Sequence, residues 1–222
     1  DFENLTKENI YVLENPILSN SQFKKFTVFF KDSLKVLDCT FDVQTNLKKR
    51  LDQLCSEAEI AVREGCKHLI LSDKKISEKK AAIPMILAFG AINSKLVNLG
   101  IRGFASLNVQ TGEVLDTHSF AVLLGIGATI INPYLAFDSI YQRYEKKLFG
   151  KFSYKECIQR YIKSVDNGLL KIMSKMGISV LSAYRGGCNF ETVGLSRAIV
   201  AEYFPGMISR ISGIGIFGIE TK

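Results

Sequence analysis

Histidine and closely spaced cysteine are scarce in this sequence, which limits the metal and nucleophile chemistry it can hold. The chain has two histidines, His68 and His118, and five cysteines with no CxxC pair: Cys39, Cys55, Cys66, Cys157 and Cys188. This set does not favour a zinc or iron–sulfur site. A catalytic pair of Cys188 with either histidine would need their approach in the tertiary structure. Reduced, mostly buried thiols of an intracellular protein fit better.

Other common signatures are also missing. The sequence has no Walker motif and no GxSxG, and the pair Gly125-x-Gly127 lacks the third glycine of a dinucleotide fingerprint. It shows no internal repeat, no low-complexity segment and no hydrophobic core of a signal peptide. Because it opens on DFENLTKEN without a methionine, we expect a single domain, residues 1–222, excised from a longer polypeptide.

The net charge is +7, from 29 basic and 22 acidic residues. Such a balance raises the question of nucleic-acid binding. The lysines, however, are scattered in pairs without the interleaved aromatic side chains of a base-stacking surface. We therefore expect a solvated basic surface and no nucleic-acid partner.

The segment 117–137 carries no acidic or basic side chain apart from His118 and must be buried. Its length would suffice for a transmembrane helix, but Gly125, Gly127 and the β-branched residues 129–131 interrupt the helical pattern. Asn132 followed by Pro133 is typical of a helix start, with Asn132 as N-cap. The pattern predicts an apolar helix, strand and second helix, as in the centre of a parallel sheet, and no membrane span.

Strands and helices alternate along the rest of the chain. Residues 1–33 read as an irregular lead-in with an optional helix after Ser19, and Val114 and Leu115 as a possible return strand. Strands are predicted at 36–41, 68–71, 103–109, 128–131 and 178–182, and helices at 47–62, 84–99, 118–125, 133–144, 154–176, 189–193 and 197–204. This order predicts an α/β fold with mostly parallel strands, either an open sheet or an incomplete barrel.

Active sites of such folds lie at the carboxyl ends of strands. Asp73 after the second strand suits a general base or a ribose contact, but a polar loop explains it better. Asn132 suits a ligand contact, but a helix cap explains it. Arg185, followed by Gly186 and Gly187, suits a phosphate cradle; a tight turn with Arg185 paired to a carboxylate is the stronger alternative. A free-standing α/β domain that binds a phosphate-bearing ligand at Tyr184-Arg185-Gly186 is the alternative function. Cys188 is interpreted as a lone buried cysteine.

Several motifs together resemble one family. They are Leu71-Ser72-Asp73, Gly112-Glu113, Asn132-Pro133-Tyr134-Leu135-Ala136, the run 171–179 (KIMSKMGIS) and Ser182-Ala183-Tyr184-Arg185-Gly186. In this order and spacing they resemble the central domain of glutamate synthase, the large amidotransferase-bearing chain, over nearly the whole sequence.

The resemblance implies an incomplete, rudimentary β/α barrel with flanking helices. It implies a parent oxidoreductase in which an amidotransferase domain releases ammonia from glutamine. A domain with FMN and an iron–sulfur cluster then makes glutamate from 2-oxoglutarate, using NAD(P)H or ferredoxin. The implied partners are those two domains of the same chain and a small reductase subunit or domain. The implied location is intracellular, in the cytoplasm or an organelle such as the plastid.

None of the family's catalytic, cofactor-binding or metal-binding residues can be carried over to this segment. The residues that match family motifs are expected to form an interdomain contact or a structural motif: Asn132, Tyr134, Tyr184, Arg185 and Phe190. The sequence departs from the family pattern at residues 91–95, where a histidine-rich run is usual, at Thr117, where a histidine pair is common, and at residues 187–189. We expect a non-catalytic linking domain with an exposed apolar face, for which residues 213–218 are a candidate.

Overall fold

The structure, a computed structural model, describes residues 11–221, so predictions for residues 1–10 lie outside it. The elements in chain order are α1 (Asn20–Phe29), β1 (Leu34–Asp38), β2 (Thr40–Asp42), α2 (Leu47–Arg63), β3 (His68–Ser72), β4 (Lys80–Ala82), α3 (Met85–Asn98), β5 (Ser106–Gln110), α4 (Thr117–Gly125), β6 (Ile130–Asn132), α5 (Tyr134–Glu145), α6 (Tyr154–Lys175), α7 (Leu181–Tyr184), β7 (Glu191–Leu195), α8 (Arg197–Tyr203), β8 (Ile208–Ile214) and α9 (Ile216–Glu220). Within the described range, no helix is both long and apolar enough to span a bilayer.

The central sheet has four parallel strands in the order β1-β3-β5-β6. Residues 16–18 lie alongside β6: Leu18 N donates to Ile131 O at 3.0 Å, and Ile131 N donates to Pro16 O at 2.8 Å. The strands of residues 11–221 do not close on themselves. The predicted α/β class is confirmed, and the fold is an incomplete β/α barrel.

Side chains alternate between the two faces of the sheet along each strand, so each face packs against its own set of residues. The two sets differ in size. Leu37, Leu71 and Val109 belong to the larger core, beneath helices that follow the first strand. Ile70 and Ile130 face the other way and pack with Leu18, Phe23 and Phe26 of the N-terminal segment. Helix α1 is the optional helix predicted after Ser19, whose side chain forms a capping box with Gln22.

Two small sheets complete the fold. Strands β2 and β4 form an antiparallel pair, and β7 and β8 form a parallel pair joined by α8. Helix α8 packs on α3, where Gly90 has no space for a side chain because the ring of Phe204 and the carbonyl of Tyr203 lie against it. Ser94 Oγ donates to the same Tyr203 carbonyl at 2.9 Å. The C-terminal residues are thereby tied to the main core.

Three predicted elements are wrong. Residues 178–182 form no strand, because the sheet edge beside β6 is already occupied by residues 16–18, and the segment instead leads into the short helix α7. The predicted helix 189–193 is replaced by strand β7, which pairs with β8. Val114 and Leu115 pair with no strand of residues 11–221 and lie in the loop before α4. For the first two segments, the pairing available in the tertiary structure decided the outcome.

Candidate functional site

Two of the quoted motifs, those that contain Ser72 and Asn132, meet at the carboxyl edge of the central sheet. Ser72 ends β3, Gln110 ends β5 and Asn132 ends β6, and the strand register places Ser72 beside Gln110 and Gln110 beside Asn132. The Asn132 side chain is completely buried. This is the edge at which a parallel α/β fold places its active site.

A chain of hydrogen bonds joins these side chains across the strand ends. Ser72 Oγ donates to Gln110 Oε1 at 2.9 Å, and Gln110 Nε2 donates to Asn132 Oδ1 at 3.2 Å. Asn132 Nδ2 donates to Leu18 O and to Asn20 Oδ1, both at 3.0 Å. The four side chains therefore satisfy one another and tie the sheet edge to the start of α1.

The prediction that Asn132 caps the following helix is wrong. Pro133 occupies the N-cap position of α5 and offers no side-chain hydrogen bond. The Asn132 side chain instead takes part in the hydrogen-bond network, because a buried amide without partners would destabilise the fold. Gln110 and Asn20, its partners, were missed by sequence reasoning. The signal available for Gln110 was a polar residue at the end of an apolar strand.

Asp73 is the second centre at this edge, and it is only 1% exposed. Its Oδ2 accepts from Thr111 Oγ1 at 2.6 Å and from Gly112 N at 3.0 Å. The expected loop position is confirmed, but Asp73 is buried and its carboxylate holds the loop after β5. Both carboxylate oxygens accept hydrogen bonds from this turn, which gives Asp73 a structural role.

Tyr134 lies beside this carboxylate. Burial raises the pKa of the Tyr134 phenol, and the negative charge of Asp73 raises it further. The Lys74 ammonium lies 5.5 Å from the centre of the Tyr134 ring. Tyr134 thus remains a neutral phenol, and it belongs to the same structural cluster as Asp73.

Glu113 extends the cluster to the next helix. Its Oε2 accepts from Met85 N at 2.9 Å, at the first residue of α3. Pro84 precedes this helix and gives no side-chain cap. Glu113 therefore supplies from another loop the hydrogen bond that an N-cap residue normally supplies.

An open groove of about 790 Å³ lies next to Asn20, between the N-terminal segment and α6. Phe137, Ile158 and Ile162 contribute apolar surface, and Lys163 and Asp166 contribute charges of opposite sign. These charges lack a single sign that would select one class of ligand. The groove therefore does not identify a substrate.

The Tyr184-Arg185-Gly186 segment lies elsewhere, beside the turn between α4 and β6. Tyr184 is buried in this chain's own core, where its hydroxyl donates to Ala121 O at 3.2 Å. Gly186 N donates to Gly125 O at 2.7 Å. Tyr184 and Gly186, two of the three residues of the alternative phosphate-ligand site, therefore already have hydrogen-bond partners within the chain.

Arg185 donates through Nη2 to Thr129 O at 3.3 Å. The expected pairing with a carboxylate is wrong for residues 11–221, since their ion pairs involve other side chains. Burial lowers the pKa of the Arg185 guanidinium. Burial, followed by the positive charge of Arg185, lowers the pKa of Arg102. Sequence reasoning missed Arg102, and no local signal marks it.

The remaining candidates surround the same turn. Phe190 is half-buried, and its ring covers Gly125 so closely that a side chain there would collide with it. Cys188 is exposed and has a positive φ of 50°, so its expected burial is wrong. The other thiols are buried or half-buried, and burial raises the pKa of Cys39.

Neither an FMN nor an iron–sulfur cluster fits the described residues at these places. The carboxyl edge is closed by the Ser72–Gln110–Asn132 network, and the Gly186 amide is committed to Gly125. Within residues 11–221, no three metal-ligating side chains come together. No chemical step through either group can be derived from this chain.

Comparison with known proteins gives a consistent picture. The family model described as glutamate synthase central domain matches residues 2–196. The chain is 48% identical to the glutamate synthase [NADPH] large chain of Azospirillum brasilense, over 99% of this chain and 15% of that protein. It is 39% identical to the corresponding large chain of Bacillus subtilis, over 95% of this chain and 14% of that protein.

A third relative is the chloroplastic ferredoxin-dependent glutamate synthase of Oryza sativa, 39% identical over 94% of this chain and 14% of that protein. The chain thus spans only about a seventh of the length of these relatives. The resemblance seen in its motifs is confirmed, and the chain belongs to the glutamate synthase central domain family.

Proposed function

We propose that this chain, residues 1–222, is the non-catalytic linking domain of a glutamate synthase large chain. The observation that carries the proposal is the closed carboxyl edge. The Ser72–Gln110–Asn132 network and the Asp73 turn fill the place where a related barrel would hold its substrate. A family member whose usual active-site edge is filled by its own side chains has a structural role.

The proposed parent enzyme forms glutamate from glutamine and 2-oxoglutarate. In this proposal an amidotransferase domain releases ammonia, and a separate domain with FMN and an iron–sulfur cluster performs the reduction with NAD(P)H or ferredoxin. This chain would hold the two domains together and help to enclose ammonia on its way between them. A small reductase subunit or domain and an intracellular location belong to the same proposal.

The C-terminal unit supplies a surface for such a contact. The parallel pair β7–β8 is bare over much of its surface, with Val193 63% and Ile211 61% exposed. Parallel sheets are normally covered on both faces, and contiguous exposed apolar surface marks an interaction site. Ile214 and Phe217, within the predicted run 213–218, continue the exposed surface. We assign this surface to contact with a neighbouring domain, together with Arg185 and Phe190.

The test uses the full large chain that contains this sequence. Ile211→Asp places a charge in the proposed contact. Ile60→Asp, at an exposed position of α2, is the matched control. Glutamate formation is measured with glutamine and with added ammonia. Because a buried unpaired charge weakens an interface, Ile211→Asp should lower the glutamine-dependent rate by on the order of tenfold and spare the ammonia-dependent rate. Equal loss of both rates, or no loss of either, contradicts the proposed linking role.

A further inference from the structure

Two guanidinium groups converge on the turn that leads into β6. Arg102 Nη2 donates to Gly127 O at 3.2 Å, and Arg185 Nη2 donates to Thr129 O at 3.3 Å. These carbonyl groups are two residues apart. Two positive charges from distant parts of the sequence are thus held against one short loop.

Each nitrogen of the Arg102 guanidinium donates a hydrogen bond to a neutral group. Its Nε donates to Asn93 Oδ1 at 2.6 Å and its Nη1 to Ala105 O at 2.7 Å. The carbonyl and amide dipoles stabilise this guanidinium in place without neutralising its charge. Asn93 lies in the segment 91–95 that departs from the usual histidine-rich pattern.

Arg185 does not have its hydrogen bonds completed. Its Nε is buried and has no acceptor among residues 11–221. Neither arginine takes part in an ion pair within that range. A buried donor without an acceptor and a half-buried charge without a counter-charge are both unfavourable. A negatively charged group at the accessible part of the guanidinium would supply the missing counter-charge.

We propose that Arg185, backed by the charge of Arg102, binds an oxyanion beside the turn between α4 and β6. The planar guanidinium can present two N–H groups in parallel to a carboxylate or a phosphate. Arg185 is only half-buried, and its Nη1 is neither buried nor hydrogen-bonded within residues 11–221, so an incoming group can reach this nitrogen. The oxyanion is either a carboxylate of another segment of the longer polypeptide or a free anion. A carboxylate of a neighbouring domain would make this site part of the contact proposed above, whereas a free anion would bind independently of that contact.

The test compares two substitutions that differ in charge, in the full large chain. Arg185→Lys and Arg185→Gln each keep an N–H group for Thr129, but only lysine keeps the charge. Hydrogen exchange is followed by mass spectrometry in peptides covering 124–130 and 184–190. Exchange in the Arg185→Gln chain should be about tenfold faster than in the Arg185→Lys chain. Arg143→Gln, an exposed residue of α5, is the control and should leave exchange unchanged.

The sign of the difference decides the proposal. Without an oxyanion, removal of the uncompensated charge relieves a desolvation cost. The Arg185→Gln chain should then be protected from exchange as well as, or better than, the Arg185→Lys chain. Equal exchange in the two variants, or slower exchange in the Arg185→Gln chain, contradicts the proposed site. If the Arg185→Gln chain exchanges faster, added inorganic phosphate shows which oxyanion is bound. Protection by phosphate in the wild type and not in Arg185→Gln assigns a free anion, and no effect of phosphate assigns a carboxylate of the polypeptide.

Discussion

At the residue scale, Asn132 joins three parts of the fold through one buried amide. It holds the end of β5 through Gln110 and the start of α1 through Leu18 and Asn20. Its neighbours in sequence are apolar or proline, so the surrounding pattern identifies a special position. The partners are 22 and 112 to 114 residues away, so no local pattern could reveal the role of the side chain.

Replacement of Asn132 by alanine should be costly. It leaves the Gln110 amide and the Leu18 carbonyl without their partners, and each buried polar group left unpaired costs about 1–3 kcal/mol. We expect the free energy of unfolding to fall by about 2–4 kcal/mol, measured by urea denaturation. Asn20→Ala removes one bond at the outer end of the network and should cost about 1 kcal/mol. Equal losses for the two variants would show that Asn132 does not anchor the network.

At the element scale, α1 is attached to the sheet partly through His68. The His68 ring lies 3.9 Å from the Phe30 ring centre and 5.5 Å from that of Phe26. Its Nδ1 is 2.8 Å from Ser106 Oγ. Burial, followed by the positive charge of Lys67, lowers the pKa of His68. The folded chain therefore binds a proton at this site less readily than the unfolded chain.

The sign of the pH dependence follows from that lowered pKa. The stabilisation is fully present above the unfolded value of 6.5 and is lost as the pH falls through the lower folded pKa. His68→Phe keeps an aromatic ring against Phe30 but cannot take up a proton. Urea midpoints measured from pH 7.5 to about 5 should therefore fall less steeply for this variant than for the wild type. A wild-type slope in His68→Phe would contradict the prediction.

The elements that local patterns predicted correctly share strong terminal signals. Helix α6 begins with a capping box of Ser153 and Glu156, and α2 and α8 begin with hydrogen bonds to Asn46 and Ser196. Local hydrogen bonds and apolar spacing are enough for such helices. Residues 178–195 differ, because their structure depended on which sheet edge was free. The alternating pattern at 178–182 did not show that the neighbouring edge was taken.

At the scale of the whole molecule, the main feature is the contrast between a closed core and an uncovered C-terminal surface. The larger core is a single cluster of buried side chains, whose members range in sequence from Ile17 to Phe204. Helix α9 returns to α2, where Glu220 Oε2 accepts from Leu47 N at 2.9 Å. Several apolar side chains of β7–β8 nevertheless remain exposed: Val193, Ile208 and Ile211.

The separate 222-residue chain should therefore self-associate as its concentration rises. Burial of the exposed apolar side chains of β7 and β8 against a second copy would drive the association. Light scattering should show the mean mass rising with concentration, and the double substitution Val193→Lys and Ile211→Lys should restore a monomer. Ile60→Lys and Val97→Lys, both on exposed helix faces, serve as the matched control. A wild-type chain that stays monomeric at high concentration contradicts the prediction.

The sequence by itself determined the α/β class, most helices and strands of residues 34–176, and the family. These depend on apolar periodicity, on capping residues and on motifs that are contiguous in the chain. Only the tertiary structure decided that the carboxyl edge is closed, that Asn132 bonds to Gln110 and α1, and that residues 191–195 form a strand. It also decided that Arg102 lies beside Arg185. The physical reason is the same in each case: a hydrogen bond or charge contact between distant residues leaves no local periodicity to read.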